Sequence, residues 1–250
     1  MLVAERRTLL LARLHAEGKL VARELADELG ISEDSVRRDL RDLAAAGQCQ
    51  RVYGGAVPVS RALVDYRARA AVEPEGKRRI AARAVRLIKP GDRVILDGGT
   101  TTLAVTRALP PDLQATVITH SPTVAAALID HPAIEILLLG GRIYKHSAVA
   151  CGATTAEAAR AITADLFLLG VTGVHPEHGL TTGDPEEAAM KRTLAGRAAD
   201  TYVLASSEKI GAVSPYRVLE LDEAAAILTD AQGAALDALR HAGTAIIMCD

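Results

Sequence analysis

The sequence predicts an α/β protein in which an N-terminal winged helix-turn-helix precedes a larger parallel-sheet domain. Within the first 57 residues, three short amphipathic segments are followed by a hairpin-like segment with a Gly-Gly turn. From about residue 75, apolar strand-like runs alternate with helical stretches, which is typical of a parallel sheet covered by helices. Aromatic residues make up only 2% of the chain, so the core must consist of Ala, Val, Leu and Ile, which disfavours a β-sandwich.

The composition allows one small domain and one domain of ordinary size. The chain has 250 residues, of which 49% are hydrophobic and 24% are charged, so it can bury a core and is not disordered by composition. We therefore predict a winged helix-turn-helix at 1–57, a linker at 58–74 and a sheet domain at 75–250. The linker stretch is mixed and polar and has a proline at each end.

Charge and cysteine content exclude few classes of protein. The net charge of −2 is mild evidence against a nucleic-acid binder, although the rest of a chain can dilute one small basic face. Cys49, Cys151 and Cys249 are far apart and form no CxxC pair, so neither a zinc site nor a disulfide framework is expected. The first residues lack a secretory pattern, and no apolar run approaches the roughly 20 residues of a membrane span. A cytoplasmic protein without membrane contact is expected.

Apolar spacing and turn residues predict the first three helices. The first covers residues 5–17 and the second covers 21–29. Gly30 suits a tight turn that needs positive φ, and Ser32 is a good N-cap for a third helix that continues to about Ala46.

The third helix has an apolar stripe and a polar face. Val36, Leu40 and Leu43 are spaced to face the core. The polar side chains left to face outward are Ser35, Arg37, Arg38 and Arg41. Such side chains can contact base edges and phosphates in the major groove, and Arg51 in the predicted wing can contact the DNA backbone or the minor groove. The alternative is an ordinary solvated face, since residues 1–57 carry nine basic and nine acidic side chains.

Two motifs in this region resemble the DeoR family of bacterial sugar-metabolism repressors. They are S-x-D-S-V-R-R-D-L at residues 32–40 and R-V-Y-G-G-A at residues 51–56. The DNA-binding residues that follow from this resemblance and from the helix face are Ser32, Ser35, Arg37, Arg38, Arg41, Arg51 and Tyr53. Asp39 is interpreted as an intramolecular partner of an arginine. The family commonly has Thr, an aliphatic residue and His where Ser35, Cys49 and Tyr53 stand.

Seven apolar runs of the second domain are predicted to be strands, at 94–97, 117–119, 134–139, 166–169, 202–204, 226–228 and 245–248. The carboxyl ends of parallel strands meet at one edge of a sheet, where ligands bind. After the first run comes Asp97-Gly98-Gly99-Thr100-Thr101-Thr102, at the start of a helix. Glycines, free N–H groups and hydroxyls favour an anion, so we predict a phosphate cradle here. The alternative is a Gly-rich turn with a Thr cap.

Other strand ends and loops carry further candidate residues. They are Thr119, His120, Ser121, Gly140, Gly141, Asp184, Glu187, Lys191 and Lys209. Glu187 and Lys191 are spaced i, i+4 in a helix predicted at 185–199, so an exposed helical ion pair is the alternative for them.

The segments LDGGTTT, VITHS, LLLGG and GLTTGDPEEAAMKR resemble the C-terminal sensor domain of the same family. That domain has the fold of ribose-5-phosphate isomerase and related sugar-phosphate enzymes. The resemblance implies a phosphorylated sugar effector whose phosphate lies near residues 98–102. The implied effector-binding residues are Asp97, Gly98, Gly99, Thr100, Thr101, Thr102, Thr119, His120, Ser121, Gly140, Gly141, Asp184, Glu187, Lys191 and Lys209. The family commonly has Asn at the position of His120 and an Asp-x-Ser-Lys pattern where Ser206, Glu208 and Lys209 stand.

Three functions are compatible with these features. The first is a repressor of carbohydrate-metabolism genes that binds double-stranded operator DNA as a homodimer or homotetramer and is controlled by a phosphorylated sugar, with no cofactor, metal or catalytic residue. The second is a sugar-phosphate isomerase-like enzyme, for which Asp97, Asp184, Glu187 and Lys191 are the acid–base candidates. An isomerase has no need of a DNA-reading head. The third is an activator or architectural protein with a vestigial sensor, against which the GGTTT loop argues.

Overall fold

A computed structural model describes residues 2–63 and 66–250, apart from the side chains of His15 and Arg61. The described chain forms a small N-terminal helical domain and a larger α/β domain, which confirms the predicted fold class. No described helix is long and apolar enough to cross a membrane.

The N-terminal domain contains three helices and a small antiparallel sheet. Its elements are α1 (Val3–Glu17), β1 (Leu20–Val21), α2 (Ala22–Leu29), α3 (Glu33–Ala45), β2 (Gln50–Val52) and β3 (Gly55–Val57). The sheet order is β1-β3-β2, so the predicted two-stranded wing has a third strand from the segment before α2. Val36, Leu40 and Leu43 are buried in its core as predicted, together with Leu10 and Leu14 of α1.

Local residue choice explains where these helices begin and end. Gly18 and Gly30 end α1 and α2 in the left-handed conformation, with φ of 73° and 62°. Ser32 begins α3, and its hydroxyl accepts a hydrogen bond from the Ser35 amide.

Asp39 fastens α1 to α3. It is 2% exposed, and its carboxylate pairs with Arg6 Nε at 2.5 Å and with Arg7 Nε at 3.1 Å. This confirms the interpretation of Asp39 as an intramolecular partner of arginine.

The larger domain is built on a seven-stranded parallel sheet. Its order is β15-β14-β12-β9-β4-β5-β6. The strands are β4 (Arg93–Leu96), β5 (Ala115–Thr119), β6 (Ile134–Leu138), β9 (Ala164–Gly170), β12 (Ala198–Leu204), β14 (Ala226–Thr229) and β15 (Ile246–Met248). Each of the seven predicted apolar runs is a strand of this sheet.

Helices cover both faces of the sheet. They are α5 (Pro74–Val85), α6 (Thr100–Ala108), α7 (Pro122–Leu128), α8 (Ala153–Arg160), α9 (Pro185–Ala195) and α10 (Ala234–His241). Alternate residues of a strand enter opposite cores: Ile95 lies in one apolar cluster, whereas Val94 and Leu96 lie in the other. The prediction that α9 extends to residue 199 was wrong, because Gly196 ends the helix and β12 begins at Ala198.

Five further short strands were not predicted from the sequence. They are β7 (Arg142–Tyr144), β8 (Val149–Cys151), β10 (Gly173–His175), β11 (Gly179–Thr182) and β13 (Tyr216–Leu219). They form a two-stranded and a three-stranded sheet beside the carboxyl ends of the main strands.

The segment predicted as a linker packs against the larger domain. Val59 forms a β-bridge with Val213, and the Ser60 hydroxyl donates to the Thr172 carbonyl. A 3-10 turn (Arg61–Leu63) and the short helix α4 (Tyr66–Arg69) follow, and α5 already begins at Pro74. The two domains are therefore joined by a segment with its own structure and contacts.

Replacing Gly55 by Ala is expected to destabilise the N-terminal domain. A Cβ at position 55 would lie 1.7 Å from the Leu20 carbonyl oxygen, and the paired strands β1 and β3 leave it no room. We expect the free energy of unfolding in urea to fall by about 3 kcal/mol or more. At the matched control Gly140→Ala, no atom lies within 4 Å of the added Cβ, so the change should stay below about 0.5 kcal/mol. Equal stability of the two variants would contradict this account.

Candidate functional site

The exposed face of α3 carries the predicted DNA-binding side chains. Arg37 is exposed and pairs with Glu33 at 2.7 Å, one turn earlier. Arg38 and Arg41 are also exposed, and within the described residues neither forms an ion pair. The Ser35 hydroxyl lies 2.9 Å from that of Ser32, at the start of the helix. Exposed guanidinium groups without an ion pair suit contact with phosphates and base edges.

The wing adds two exposed residues beside this helix. Arg51 in β2 is exposed, and the Tyr53 side chain is fully exposed at the turn before Gly54. A solvated aromatic ring at a loop tip costs hydrophobic free energy, so its position suits a surface that is covered when a partner binds. The structure thus brings the seven predicted DNA-binding residues to α3, its N-cap and the wing.

A pocket opens at the carboxyl ends of β4, β9 and β12, which are neighbours in the sheet. Its empty space amounts to about 460 Å³, part of it open to solvent. The predicted effector-binding residues that line it are Gly98, Gly99, Thr100, Thr101, Thr102, Glu187, Lys191 and Lys209. This location at the strand ends is the one that the parallel sheet predicts.

The Gly98-Gly99 turn lets the chain pass close to its neighbours before α6 begins. A Cβ on Gly98 would lie 2.0 Å from Val149 Cγ1, and Gly99 has a φ of 117°. The first turn of α6 then presents Thr100 and Thr101 to the pocket, with the positive end of the helix dipole behind them. This geometry favours an anion over a neutral ligand.

Asp97 is the buried polar centre beneath the pocket. Its Oδ1 accepts from the Gly98 amide and faces His120 Nε2, both at 2.8 Å. Its Oδ2 lies 2.5 Å from Lys191 Nζ and 2.8 Å from the Gly170 amide nitrogen. Burial alone would raise the pKa of Asp97, but the charge of Lys191 and the hydrogen bond with His120 outweigh it and hold the pKa well below its usual range.

Glu187 and Lys191 form a buried pair, not the exposed ion pair of the alternative interpretation. The side chains are 7% and 2% exposed, and Lys191 Nζ lies 3.4 Å from Glu187 Oε1. Glu187 Oε2 also accepts hydrogen bonds from Ser147 and Thr182. Burial lowers the pKa of Lys191, but the charges of Asp97 and Glu187 outweigh this and raise it. Lys191 therefore stays charged and is neutralised from within the protein.

His120 is turned away from the pocket. It is completely buried, and its Nδ1 lies 2.8 Å from the Ala150 carbonyl oxygen while Nε2 faces Asp97. Both partners are acceptors, so each hydrogen bond forms when the ring nitrogen that faces it carries a proton. His120 thus ties β5 to Asp97 and to the start of β8.

The other predicted effector contacts also lie outside the pocket lining. Asp97 lies beneath it, and the Thr119 hydroxyl donates to Leu96 O and accepts from the Ser121 amide. Asp184 caps α9 by accepting from the Glu187 amide. Gly140 and Gly141 are exposed and contact Thr155. As direct contacts of an effector, these residues remain a prediction.

Three basic side chains surround the GGTTT turn, and sequence reasoning identified only Lys209. Arg69 and Lys77 line the same pocket and are 8% and 4% exposed. They were missed because one lies in the presumed linker and the other in the helix after it. The signal for them was the density of basic residues on both sides of Pro74.

Burial and mutual repulsion perturb these cations. Burial lowers the pKa of Lys209 to about 8, with Lys77, Arg69 and Lys191 adding to the decrease and Glu208 opposing it. Burial also lowers the pKa values of Lys77 and Arg69. Burying cations beside one another is unfavourable without an anion, so this cluster is suited to hold one.

Comparison with known families matches two parts of the chain. Residues 6–62 match the DeoR-like helix-turn-helix domain, and residues 72–231 match the DeoR C-terminal sensor domain. Among similar proteins, the HTH-type transcriptional regulator GlpR of Haloferax volcanii is 34% identical over 92% of this chain and 91% of its own. The HTH-type transcriptional repressor GlcR of Bacillus subtilis is 34% identical over 90% of this chain and 88% of its own. Ribose 5-phosphate isomerase A of Methanocaldococcus jannaschii superposes with a TM-score of 0.40 and 19% identity, covering 53% of this chain and 52% of its own.

Replacing Asp97 by Asn is expected to lower the free energy of unfolding at pH 7 by about 3 kcal/mol, because it leaves the buried charge of Lys191 undercompensated. The low pKa of Asp97 means that its ionised form stabilises the fold above the ordinary carboxyl pKa near 4, and that this stabilisation is lost as the pH falls. The difference from wild type in urea denaturation should therefore shrink below about pH 4. The exposed control Asp112→Asn should change stability little, and a pH-independent difference for Asp97→Asn would refute the assignment.

Replacing Lys209 by Met is expected to stabilise the ligand-free protein at pH 7. With a folded pKa of about 8 against an ordinary value of 10.5, the charged lysine costs folding free energy below pH 8, and this cost is relieved between pH 8 and 10.5. The variant should gain up to about 3 kcal/mol at pH 7 and lose most of this advantage by pH 10, measured by urea denaturation. The exposed control Lys89→Met should show no such pH-dependent difference. A Lys209→Met variant that is less stable than wild type at pH 7 would contradict the view that the charge of Lys209 destabilises the ligand-free fold.

Proposed function

Because this chain belongs to the DeoR family of transcriptional regulators, we propose that it represses carbohydrate-metabolism genes and releases their operator DNA when a phosphorylated sugar binds its C-terminal domain. The observation that carries the proposal is the pocket itself. A glycine-threonine turn at a helix start faces three buried cations, in a chain whose other domain carries a DNA-reading helix.

Charge and hydrogen-bonding capacity support a phosphoryl group as the bound part of the effector. The backbone amides and hydroxyls of the Thr100–Thr102 turn are donors, and Lys209, Lys77 and Arg69 supply positive charge in the same pocket. A phosphate dianion accepts many hydrogen bonds and is stabilised at such a site far more than a neutral sugar. The remaining polar side chains, including Glu187 and Thr182, can then bind sugar hydroxyls.

The same contacts speak against turnover by an isomerase mechanism. A general base needs a free carboxylate within reach of the substrate. Asp97 uses both oxygens for Lys191, His120 and two backbone amides, and Glu187 is held by Ser147, Thr182 and Lys191. Asp184 is occupied as a helix cap. Hydrogen bonding and charge pairing of these three carboxylates favour ligand binding over catalysis. Glu208 also lines the pocket, and its Oε2 is buried without a hydrogen-bond partner among the described residues, so it is the carboxylate that a turnover assay would test.

Control of DNA binding requires two arrangements of the protein that differ in affinity for the effector. A ligand can shift the equilibrium only by its differential affinity for the two states. We infer that the chain works as a homodimer or homotetramer, because two reading heads on adjacent half-sites add affinity and specificity. The effector then changes the spacing or freedom of the heads and lowers the affinity for operator DNA.

The proposal is tested by fluorescence anisotropy with labelled DNA from upstream of the protein's own gene, combined with thermal denaturation against a panel of phosphorylated sugars and their unphosphorylated parents. We expect specific DNA binding, stabilisation by one phosphorylated sugar and weaker DNA binding in its presence. Arg38→Ala should weaken operator binding about tenfold or more and flatten its salt dependence, since it removes an exposed cation of the reading face. The matched control Arg78→Ala changes an exposed arginine of the larger domain and should leave DNA binding unchanged.

Specific outcomes would overturn parts of this proposal. Absence of DNA binding at low salt would refute the regulator function. DNA binding without any response to the panel would favour a DNA-binding protein with a vestigial sensor. Turnover of ribose 5-phosphate by the purified protein would restore the enzyme alternative.

A further inference from the structure

The segment between the two domains forms one wall of the ligand pocket. We call residues 58–73 the connector. Ala62, Arg69 and Val72 of the connector line the pocket together with the GGTTT turn. The connector thus faces the ligand on one side and continues into the DNA-binding domain, whose last strand β3 ends at Val57.

Arg69 is an unsatisfied cation in this wall. It is 8% exposed, and its Nε is buried without a hydrogen-bond partner among the described residues. Its Nη2 donates to the His146 carbonyl at 3.0 Å, and its guanidinium carbon lies 5.9 Å from the centre of the Tyr66 ring. Burial of a guanidinium whose N–H groups lack acceptors lowers the stability of the fold unless an anion accepts their hydrogen bonds.

The charges around Arg69 do not balance it. Within the described residues Arg69 forms no ion pair, and neither does Lys77, whose Nζ donates to the carbonyls of Arg69 and Val72. Lys191 is neutralised by Asp97 and Glu187. Glu208 attracts Lys77 and Lys209, whereas Glu187 and Asp97 attract Arg69 without forming an ion pair with it among the described residues. The pocket is therefore complementary to an anion that reaches Arg69.

We propose that Arg69 binds the phosphoryl group of the effector directly, and that the ligand thereby locks the connector onto the sensor domain. The inference rests on the proposed function, since it assigns a binding residue and a route of regulation to the same pocket. A planar guanidinium can donate two parallel hydrogen bonds to a phosphoryl group, which fixes its orientation as well as its position.

The connector joins the ligand pocket to the DNA-binding domain through a short stretch of chain. Arg69 lies only 12 positions after Val57, the last residue of β3. Along this path, the Ser60 hydroxyl donates to the carbonyl of Thr172, and Thr172 itself lines the pocket. Ligand contacts at Arg69 and Thr172 therefore restrain the connector at two points, and with it the position of the DNA-binding domain.

A second cavity shows where the rest of the effector can lie. It has about 400 Å³ of empty space and shares Arg69, Thr172 and Glu187 with the first pocket. Its other walls include Tyr144 and His146, and the His146 ring nitrogen Nε2 is 3.0 Å from the connector carbonyl of Leu63. A phosphorylated sugar that bridges the two cavities would contact Arg69 along its length.

The test compares wild type with Arg69→Gln, Arg69→Lys and the matched control Arg67→Ala, which removes an exposed arginine of the same helix α4. The probes are inorganic phosphate and the panel of phosphorylated sugars. We expect Arg69→Gln to lose tenfold or more in affinity for the phosphorylated sugar. Arg69→Lys should recover part of the loss because it restores the charge, and Arg67→Ala should match wild type.

Hydrogen exchange of the connector provides the second readout. In wild type, the phosphorylated sugar should slow amide exchange in residues 58–73, whereas saturating ligand should protect these residues less in Arg69→Gln. Equal ligand affinity of Arg69→Gln and wild type, or equal loss in Arg67→Ala, would overturn the role of Arg69 while leaving the proposed function intact. Unchanged connector exchange in ligand-bound wild type would overturn the locking. A wild type that binds neither phosphate nor any sugar phosphate would refute the sensor function and this inference together.

If Arg69→Gln lowers the thermal stability of the ligand-free protein, Arg69→Lys decides the question. This variant keeps the buried charge and can keep the hydrogen bond to the His146 carbonyl. It loses the planar guanidinium that can donate two parallel hydrogen bonds to a phosphoryl group. Reduced phosphate affinity with unchanged ligand-free stability then supports direct binding. Unchanged phosphate affinity in Arg69→Lys, with a loss in Arg69→Gln that tracks lost stability, overturns it.

Discussion

The buried carboxylate of Asp97 is the interaction on which the architecture of the sensor domain depends. It follows β4, accepts the Gly170 amide from the end of β9, and pairs with Lys191 of α9 and His120 after β5. The Asp97 carboxylate lies in the interior, away from water, so each of its contacts is strong. Loss of any one partner would therefore lower the stability of the fold. One side chain therefore holds the strand ends in register and sets the floor of the pocket.

Neutralisation of Asp97 by Lys191 leaves the upper part of the pocket with a different electrostatic character. Arg69, Lys77 and Lys209 are buried without carboxylate partners that balance them. A protein that only needed stability would replace such groups with apolar side chains. Their presence around a glycine-threonine turn is explained by a ligand that carries negative charge. The free energy that the cations cost the ligand-free fold is recovered when the anion binds.

The DNA-binding domain is simpler in its packing than the sensor domain. Its small core is closed by apolar side chains of the three helices, and its polar face is left to solvent. Its link to the sensor is the connector, whose described residues contact the sensor domain and form part of the pocket wall. In the proposed mechanism, the connector is the element whose position both ligands influence.

Periodicity and local motifs in the sequence determined the seven parallel strands, the three N-terminal helices, the reading face of α3 and the glycine-threonine turn of the pocket. These features depend on neighbours within a few residues, or on which face of an element is buried. The tertiary structure alone decided that His120 turns inward to Asp97, that Glu187 and Lys191 are buried, and that Arg69 enters the pocket. A side chain's solvation and charge partners come from segments far away in sequence, and no local pattern records which segment will cover which.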